Sequence, residues 1–148
     1  MRGAIFALAF RLAACGGEQA TSTGADVTAI ETQMHTQFDR PDARLDVGPI
    51  AVSGNHAVAD WTQGAMGGRA LYERRDGTWA IVLCSGDALK QVAYLKQARV
   101  PDGNAEAIVR KLGESEKVIA HERLAKMRSF TGTVTADQMS TRSEEGGL

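Results

Sequence analysis

The sequence predicts an α+β fold, an antiparallel meander sheet of about four strands with one helix before it and helices after it that cover one face. Three observations carry this. Asp76-Gly77 separates two strand-forming runs, and Asp-Gly suits a two-residue type I′ turn, whose two central residues both take positive φ. Short turn-forming stretches, Ser53-Gly54-Asn55-His56 and the one around Gly64, separate two further runs. Strands joined in sequence by short turns pair most simply as antiparallel neighbours. On both sides of these runs the apolar residues change to a helical period.

Residues 1–15 read as a targeting segment. Met1-Arg2-Gly3 gives a positive start, and Ala4 to Phe10 an apolar run too short to cross a bilayer as a helix. Leu12-Ala13-Ala14-Cys15 resembles the lipobox of bacterial lipoproteins, whose cysteine is lipidated and becomes the mature first residue. Arg11 departs from that pattern, and a cleaved signal without lipid or a misassigned start is the alternative. Residues 16–25 are Gly/Ser/Thr-rich and suit a flexible tether. Residues 26–136 form one domain, since a chain of 148 residues with 43% hydrophobic and 24% charged residues can bury a single compact core. Residues 137–148 are expected to be disordered, because Ser140 to Leu148 has almost no apolar content.

Within the domain, Asp26 suits an N-cap, and Val27, Ile30, Met34 and Phe38 recur on one helical face. Pro41 ends this helix by disfavouring helical geometry in the residue before it. Leu45 and Val47 begin a strand that Gly48-Pro49 interrupts, as a bulge or an edge strand would, and Ile50 and Val52 continue it. Ala57 to Thr62 is the next strand. Asp76-Gly77 fixes the register of the last two: Arg75 faces Thr78, Arg74 Trp79, Tyr72 Ile81, Leu71 Val82, Ala70 Leu83 and Arg69 Cys84. Tyr72, Ile81, Ala70, Leu83 and Trp79 then share the core face, with Arg74 at its rim. Arg69, Leu71, Val82 and Cys84 share the other, half-apolar face, open to a second layer or a partner.

Ser85 or Asp87 caps a following helix through Leu89, Val92, Ala93 and Leu95, stopped near Val100-Pro101. Asp102 or Asn104 caps the next, whose stripe is Ala105, Ile108, Val109, Leu112, Ile119, Leu124 and Met127, with Gly113 marking a kink or break. Ser129 to Val134 reads as a last short strand or a strap.

A net charge of -1 and few aromatic residues give no case for nucleic-acid binding. The chain has no HExxH, CxxC, P-loop, GxSxG or GxGxxG. Gly64, Gly67 and Gly68 lie between strands with no helix after them. They serve a tight turn, or a backbone nest leaving room for a ligand or partner beside Arg69. Cys84 as nucleophile would need a histidine base, yet His35, His56 and His121 fall on separate elements, and Asp60 and Asp87 lack a pocket. No enzyme is expected.

Soft metal donors are present as Cys84, Met34, Met66, Met127 and Met139, with His35 and His56 as borderline ones. Cys84 is either a small buried hydrophobe closing a strand or a thiolate ligand for Cu(I). Ser85-Gly86-Asp87 follows it at a helix start that could lower a thiol pKa. If Cys15 carries lipid, Cys84 has no intramolecular partner. Met34 belongs to the helical core stripe, and Met66, in the Gly-rich turn, is the freer thioether.

Thr36 to Lys90 resembles the copper uptake system-associated proteins, small exported bacterial proteins. The likeness rests on Phe38-Asp39-Arg40-Pro41, Trp61-Thr62-Gln63-Gly64, Gly67-Gly68-Arg69-Ala70-Leu71, and Trp79 through Leu83-Cys84-Ser85-Gly86-Asp87-Ala88-Leu89. The helix after Val100-Pro101 and Phe130-Thr131-Gly132-Thr133-Val134 extend it over most of the mature chain. Arg44, where proline is usual, and the lipobox-like start depart from it. The resemblance implies a non-enzymatic protein, periplasmic or lipid-anchored, working beside copper-transport membrane proteins. It carries no ligand set onto this chain.

Two expectations follow. An interaction module would present Gly64, Gly67, Gly68 and Arg69 to a membrane transporter, with Cys84 buried and an exposed patch around Arg69. A copper carrier would use Cys84, with Met66, His56 or His35 as helpers, and needs Cys84 at least partly accessible and a second soft ligand within coordination reach. A weaker third expectation is a small-molecule pocket between sheet and helices.

Overall fold

The computed structural model describes residues 18–145. The targeting segment 1–15 and the lipidation of Cys15 lie outside the described residues. Helix α1 (Glu18–Phe38) precedes strands β1 (Asp46–Ser53), β2 (His56–Gln63), β3 (Met66–Arg75) and β4 (Thr78–Ser85). A 3₁₀ turn (Asp87–Lys90) and helices α2 (Val92–Gln97), α3 (Asp102–Glu116) and α4 (His121–Arg128) follow. The short strand β5 (Thr133–Thr135) and helix α5 (Ala136–Glu145) complete the order. The sheet is an antiparallel meander in the order β1-β2-β3-β4-β5. The α+β meander read from the sequence is present, with five strands rather than four.

Both faces of the sheet are buried. Ile30 and Met34 of α1 pack with Ala57, Ala59, Ala70, Tyr72 and Trp79 on one side. Leu89, Leu95, Ile108 and Leu112, from the segments after β4, pack with Ala51, Val58 and Leu71 on the other. The C-terminal helices α2 and α3 therefore cover one face as expected, and the half-apolar face is their core layer.

The β3–β4 hairpin turns at Asp76 and Gly77 with φ of 50° and 78°, as the type I′ expectation requires. Its register is as expected from Arg75↔Thr78 to Tyr72↔Ile81 and then slips, so that Leu71 faces Leu83, Ala70 faces Cys84 and Arg69 faces Ser85. Val82 is the extra residue of a bulge. Because side chains alternate with a period of two, one inserted residue transfers everything beyond it to the opposite face. Leu83 thus packs toward α2 and α3, and Cys84 turns to the α1 side, the reverse of the expected assignment.

Other boundaries moved for local reasons. α1 (Glu18–Phe38) covers much of the expected tether, so Asp26 lies inside the helix and is not its N-cap. Asp26 accepts hydrogen bonds instead from Trp79 Nε1 at 3.0 Å and Arg74 Nη1 at 2.7 Å. Gly48-Pro49 does mark a bulge, on the edge strand β1. α3 runs through Gly113 and ends at Glu116. Ala136–Glu145, mostly within the segment expected to be disordered, is helical. No helix among the described residues is long and apolar enough to cross a membrane.

Candidate functional site

The C-terminal turn of α1, the ends of β2 and β4, and the strap leading into α5 border a partly open cavity of about 160 Å³. Met34, Phe38, Leu45, Trp61, Gln63, Cys84, Phe130, Val134 and Met139 line it. Gln63 fixes one wall by donating through Nε2 to the carbonyls of Phe38 at 2.7 Å and Ala43 at 2.8 Å. The opposite wall needs glycine. After α4 the chain rounds the end of the sheet so closely that a Cβ on Gly86 would lie 2.6 Å from the Phe130 carbonyl oxygen. A Cβ on Gly68 would lie 2.9 Å from the Phe130 ring and 3.0 Å from Trp61. Phe130 then meets Trp61 edge to face, with centroids 6.0 Å apart.

Cys84 is 7% exposed and stands on this wall, opposite Val134 of β5. Its Sγ lies 4.0 Å from Met139 Sδ on α5. Burial pushes the thiol pKa up to about 12, so the expected activation by the following helix start does not occur. The segment that follows is a 3₁₀ turn of four residues, too short to supply an appreciable dipole. Tyr72 lies on the same side of the sheet, fully buried, and its hydroxyl has no hydrogen-bond partner among the described residues. Burial, and secondly Cys84, raise its pKa.

The other expected metal ligands do not converge on Cys84. Met66 is 59% exposed on the β2–β3 turn and is not part of the cavity wall. His56 opens β2 with Nε2 3.9 Å from Glu73, and burial lowers its pKa against the pull of that carboxylate. His35 Nδ1 lies 3.1 Å from both carboxylate oxygens of Asp39 on the next turn. Among the described residues no three His, Cys, Asp or Glu side chains are grouped to hold a metal. The structure instead places Met139 and Met34, donors that the sequence offers without any spacing signal, at the cavity with Cys84.

Most of the expected partner surface is buried. Arg69 is 0% exposed, and Gly67 and Gly68 are buried. Gly67 exists for close packing, since a Cβ there would lie 2.8 Å from the Lys126 carbonyl carbon and 2.9 Å from Met127 N. Gly64 is exposed, with Ala65 and Met66, in a turn where its φ is 60°.

Arg69 is the centre of a buried ionic cluster on the α3 side. Its Nη2 donates to Glu116 Oε1 at 2.7 Å, its Nη1 to Asp87 Oδ1 at 2.8 Å, and its Nε lies 3.1 Å from Asp60 Oδ1. Lys90 Nζ pairs with Glu116 Oε2, and Arg128 Nε lies 3.6 Å from Asp87 Oδ2. Burial favours the neutral acid at Glu116, but hydrogen bonds from Lys90 and Arg69 outweigh it and hold its pKa below the usual value. No family model matches the chain, and neither a curated protein nor a solved structure does.

Proposed function

We propose that the protein is an exported, non-enzymatic accessory of bacterial copper handling that binds Cu(I) directly, as cargo, between Cys84 and Met139. The observation that carries this reading is the 4.0 Å separation of the two sulfurs. Metal–sulfur bonds of about 2.3 Å meeting near 120° put two sulfurs roughly 4 Å apart. Thiolate and thioether donors select Cu(I) over harder ions. Met34 lines the same cavity and carries a further thioether.

Binding exchanges a proton for the metal. The Cys84 S–H bond breaks, a sulfur–copper bond forms, and the proton leaves to solvent. A thiol held at about 12 does not prevent this, because a bound cation inverts the local preference for the neutral form. The resemblance to copper uptake system-associated proteins supplies the context of export and of a copper-transport membrane protein as recipient. The burial of Arg69 weighs against a role limited to presenting that residue to a transporter, whereas the burial of Cys84 is what the interaction module, and not the carrier, is expected to show.

Anaerobic titration of the protein with Cu(I) against a competing chelator, beside Cys84→Ser and Met139→Leu, tests the reading. One-to-one binding, lost in the first variant and weakened in the second, is expected. A wild-type protein unable to compete with the chelator ends the proposal.

A second reading rests on the apolar part of the lining, Phe38, Leu45, Trp61, Phe130 and Val134. A cavity of about 160 Å³ suits a molecule no larger than benzene, which an apolar cavity of about 150 Å³ is known to hold. Benzene binding that survives Cys84→Ser, together with failure of the copper titration, would favour it.

A further inference from the structure

Arg69 carries one Nε hydrogen, and two carboxyl groups stand within reach of it. Glu116 Oε1 accepts it at 3.2 Å and also accepts from Nη2. Asp60 Oδ1 is 3.1 Å from the same nitrogen, yet neither Asp60 oxygen receives a hydrogen bond from any described residue. Asp60 is 0% exposed, so water does not replace the missing donor at its surface. A buried carboxylate that has lost its hydration and gained no donor is costly. Glu116 is differently placed, with Arg69 on one oxygen and Lys90 on the other. Two bare carboxylates beside one guanidinium repel each other, whereas a proton on one of them turns the contact into a hydrogen bond.

We propose that Asp60 and Glu116 share one proton, carried on Asp60 and donated to Glu116, so that the joint between the sheet, the 3₁₀ turn and α3 is a proton-binding site. Asp60 stands on β2 and Arg69 opposite it on β3. Lys90 and Asp87 face the pair from the 3₁₀ turn, Glu116 from the end of α3, and Arg128 of α4 through Asp87. Arg123 of α4 is engaged one rung away, with Thr62 and Asp46. Loss of the proton puts two anions on one guanidinium nitrogen and weakens the joint that ties α3 to the sheet.

Burial, first, and Glu116 push the Asp60 pKa up to about 7 against the pull of Arg69, in agreement with this arrangement. The sign follows from linkage. A carboxyl raised from 3.8 to about 7 on folding binds more protons in the folded state between those values. Its contribution to stability is therefore full at acid pH and is lost as pH rises through the folded value. His56, with its lowered pKa, acts with the opposite sign as pH falls below its usual 6.5.

The deciding measurement is a carboxyl-carbon NMR titration of the full chain. Asp60 is expected to titrate near 7, with Glu116 responding in the same step. An Asp60 midpoint below about pH 5, close to the ordinary carboxylate range, overturns the shared proton. Urea unfolding of wild type and Asp60→Asn across pH gives an independent reading. The asparagine amide keeps a donor toward Glu116, and His56 is common to both proteins. The wild-type folding constant should fall relative to the variant by about tenfold per pH unit between roughly pH 4 and 7, and a constant ratio contradicts the proposal. If Asp60→Asn does not fold, the titration of wild type still decides.

Discussion

Cys84 on β4 and Met139 on α5 bring two sulfurs to 4.0 Å across a cavity wall, from positions far apart in sequence and with no motif joining them. With the thiol at about 12, almost every Cys84 is protonated at neutral pH. On the proposed binding, each Cu(I) taken up by Cys84 must then release one proton. The apparent copper affinity is expected to rise about tenfold per pH unit between roughly pH 6 and 8. Chelator competition at several pH values reads this slope, and a flat profile would mean that the Cys84 thiolate is not the ligand.

The glycines flanking Arg69 make a separate, structural prediction. A methyl group at Gly67 meets backbone atoms of Lys126 and Met127 at 2.8–2.9 Å, and backbone inside a helix cannot give way as a side-chain end can. Gly67→Ala should therefore destabilise the fold by about 1–3 kcal/mol, the usual range for overpacking. Gly64→Ala strains a turn residue with positive φ but meets no neighbour. A lowered urea midpoint in both variants, with displacement of α4 only in the first, is the expected pattern. Unchanged stability in Gly67→Ala would contradict this account of why glycine is there.

The ionic cluster was within reach of sequence reasoning in part. A two-residue turn after Gln63 sets Asp60 opposite Arg69 in β2 and β3, so one contact follows from counting back from Gly64. Nothing in the sequence announces Glu116, because its place is set by how α3 lies on the sheet, and helix packing angles depend on side chains from several elements. The Asp76-Gly77 hairpin shows the same boundary. Turn chemistry fixes the rungs near the turn, from Arg75 to Tyr72. The bulge at Val82 lies beyond the reach of that chemistry, and it decides whether Cys84 faces α1 or α3. Met139 was hidden for another reason. It stands in a helix of mostly polar residues, and its place beside Cys84 is set by how that helix docks.

Asp26 connects α1 to the hairpin. Its Oδ1 accepts from Trp79 Nε1 and Arg74 Nη1, and the Arg74 guanidinium lies 5.0 Å over the Trp79 ring. Asp26→Ala leaves a buried indole N–H without an acceptor and frees Arg74, which should cost about 1–3 kcal/mol. Trp79 fluorescence during urea unfolding measures it. Asp26→Asn, which keeps an acceptor oxygen for Trp79, should recover part of the loss, and equal costs for both variants would show that the hydrogen bond to Trp79 contributes little.

Removing the guanidinium from the buried cluster should be the most damaging single change away from the cavity. Arg69 satisfies Glu116 and Asp87 and stands against the Asp60 carboxyl, from a position with no access to water. Arg69→Met keeps similar bulk but leaves these carboxylates facing an apolar side chain, and breaking a buried ion pair from one side typically costs about 3–5 kcal/mol. That is a large share of the roughly 5–15 kcal/mol that holds a domain of this size together. Replacing Asp60 as well, in Arg69→Met with Asp60→Leu, removes the worst-placed of the stranded carboxyls while Lys90 continues to hold Glu116. The double variant should therefore be more stable than Arg69→Met alone, although each change by itself destabilises. Urea unfolding of wild type, both single variants and the double variant forms a complete cycle, and simple additivity of the two costs would show that Asp60 and Arg69 are not energetically coupled.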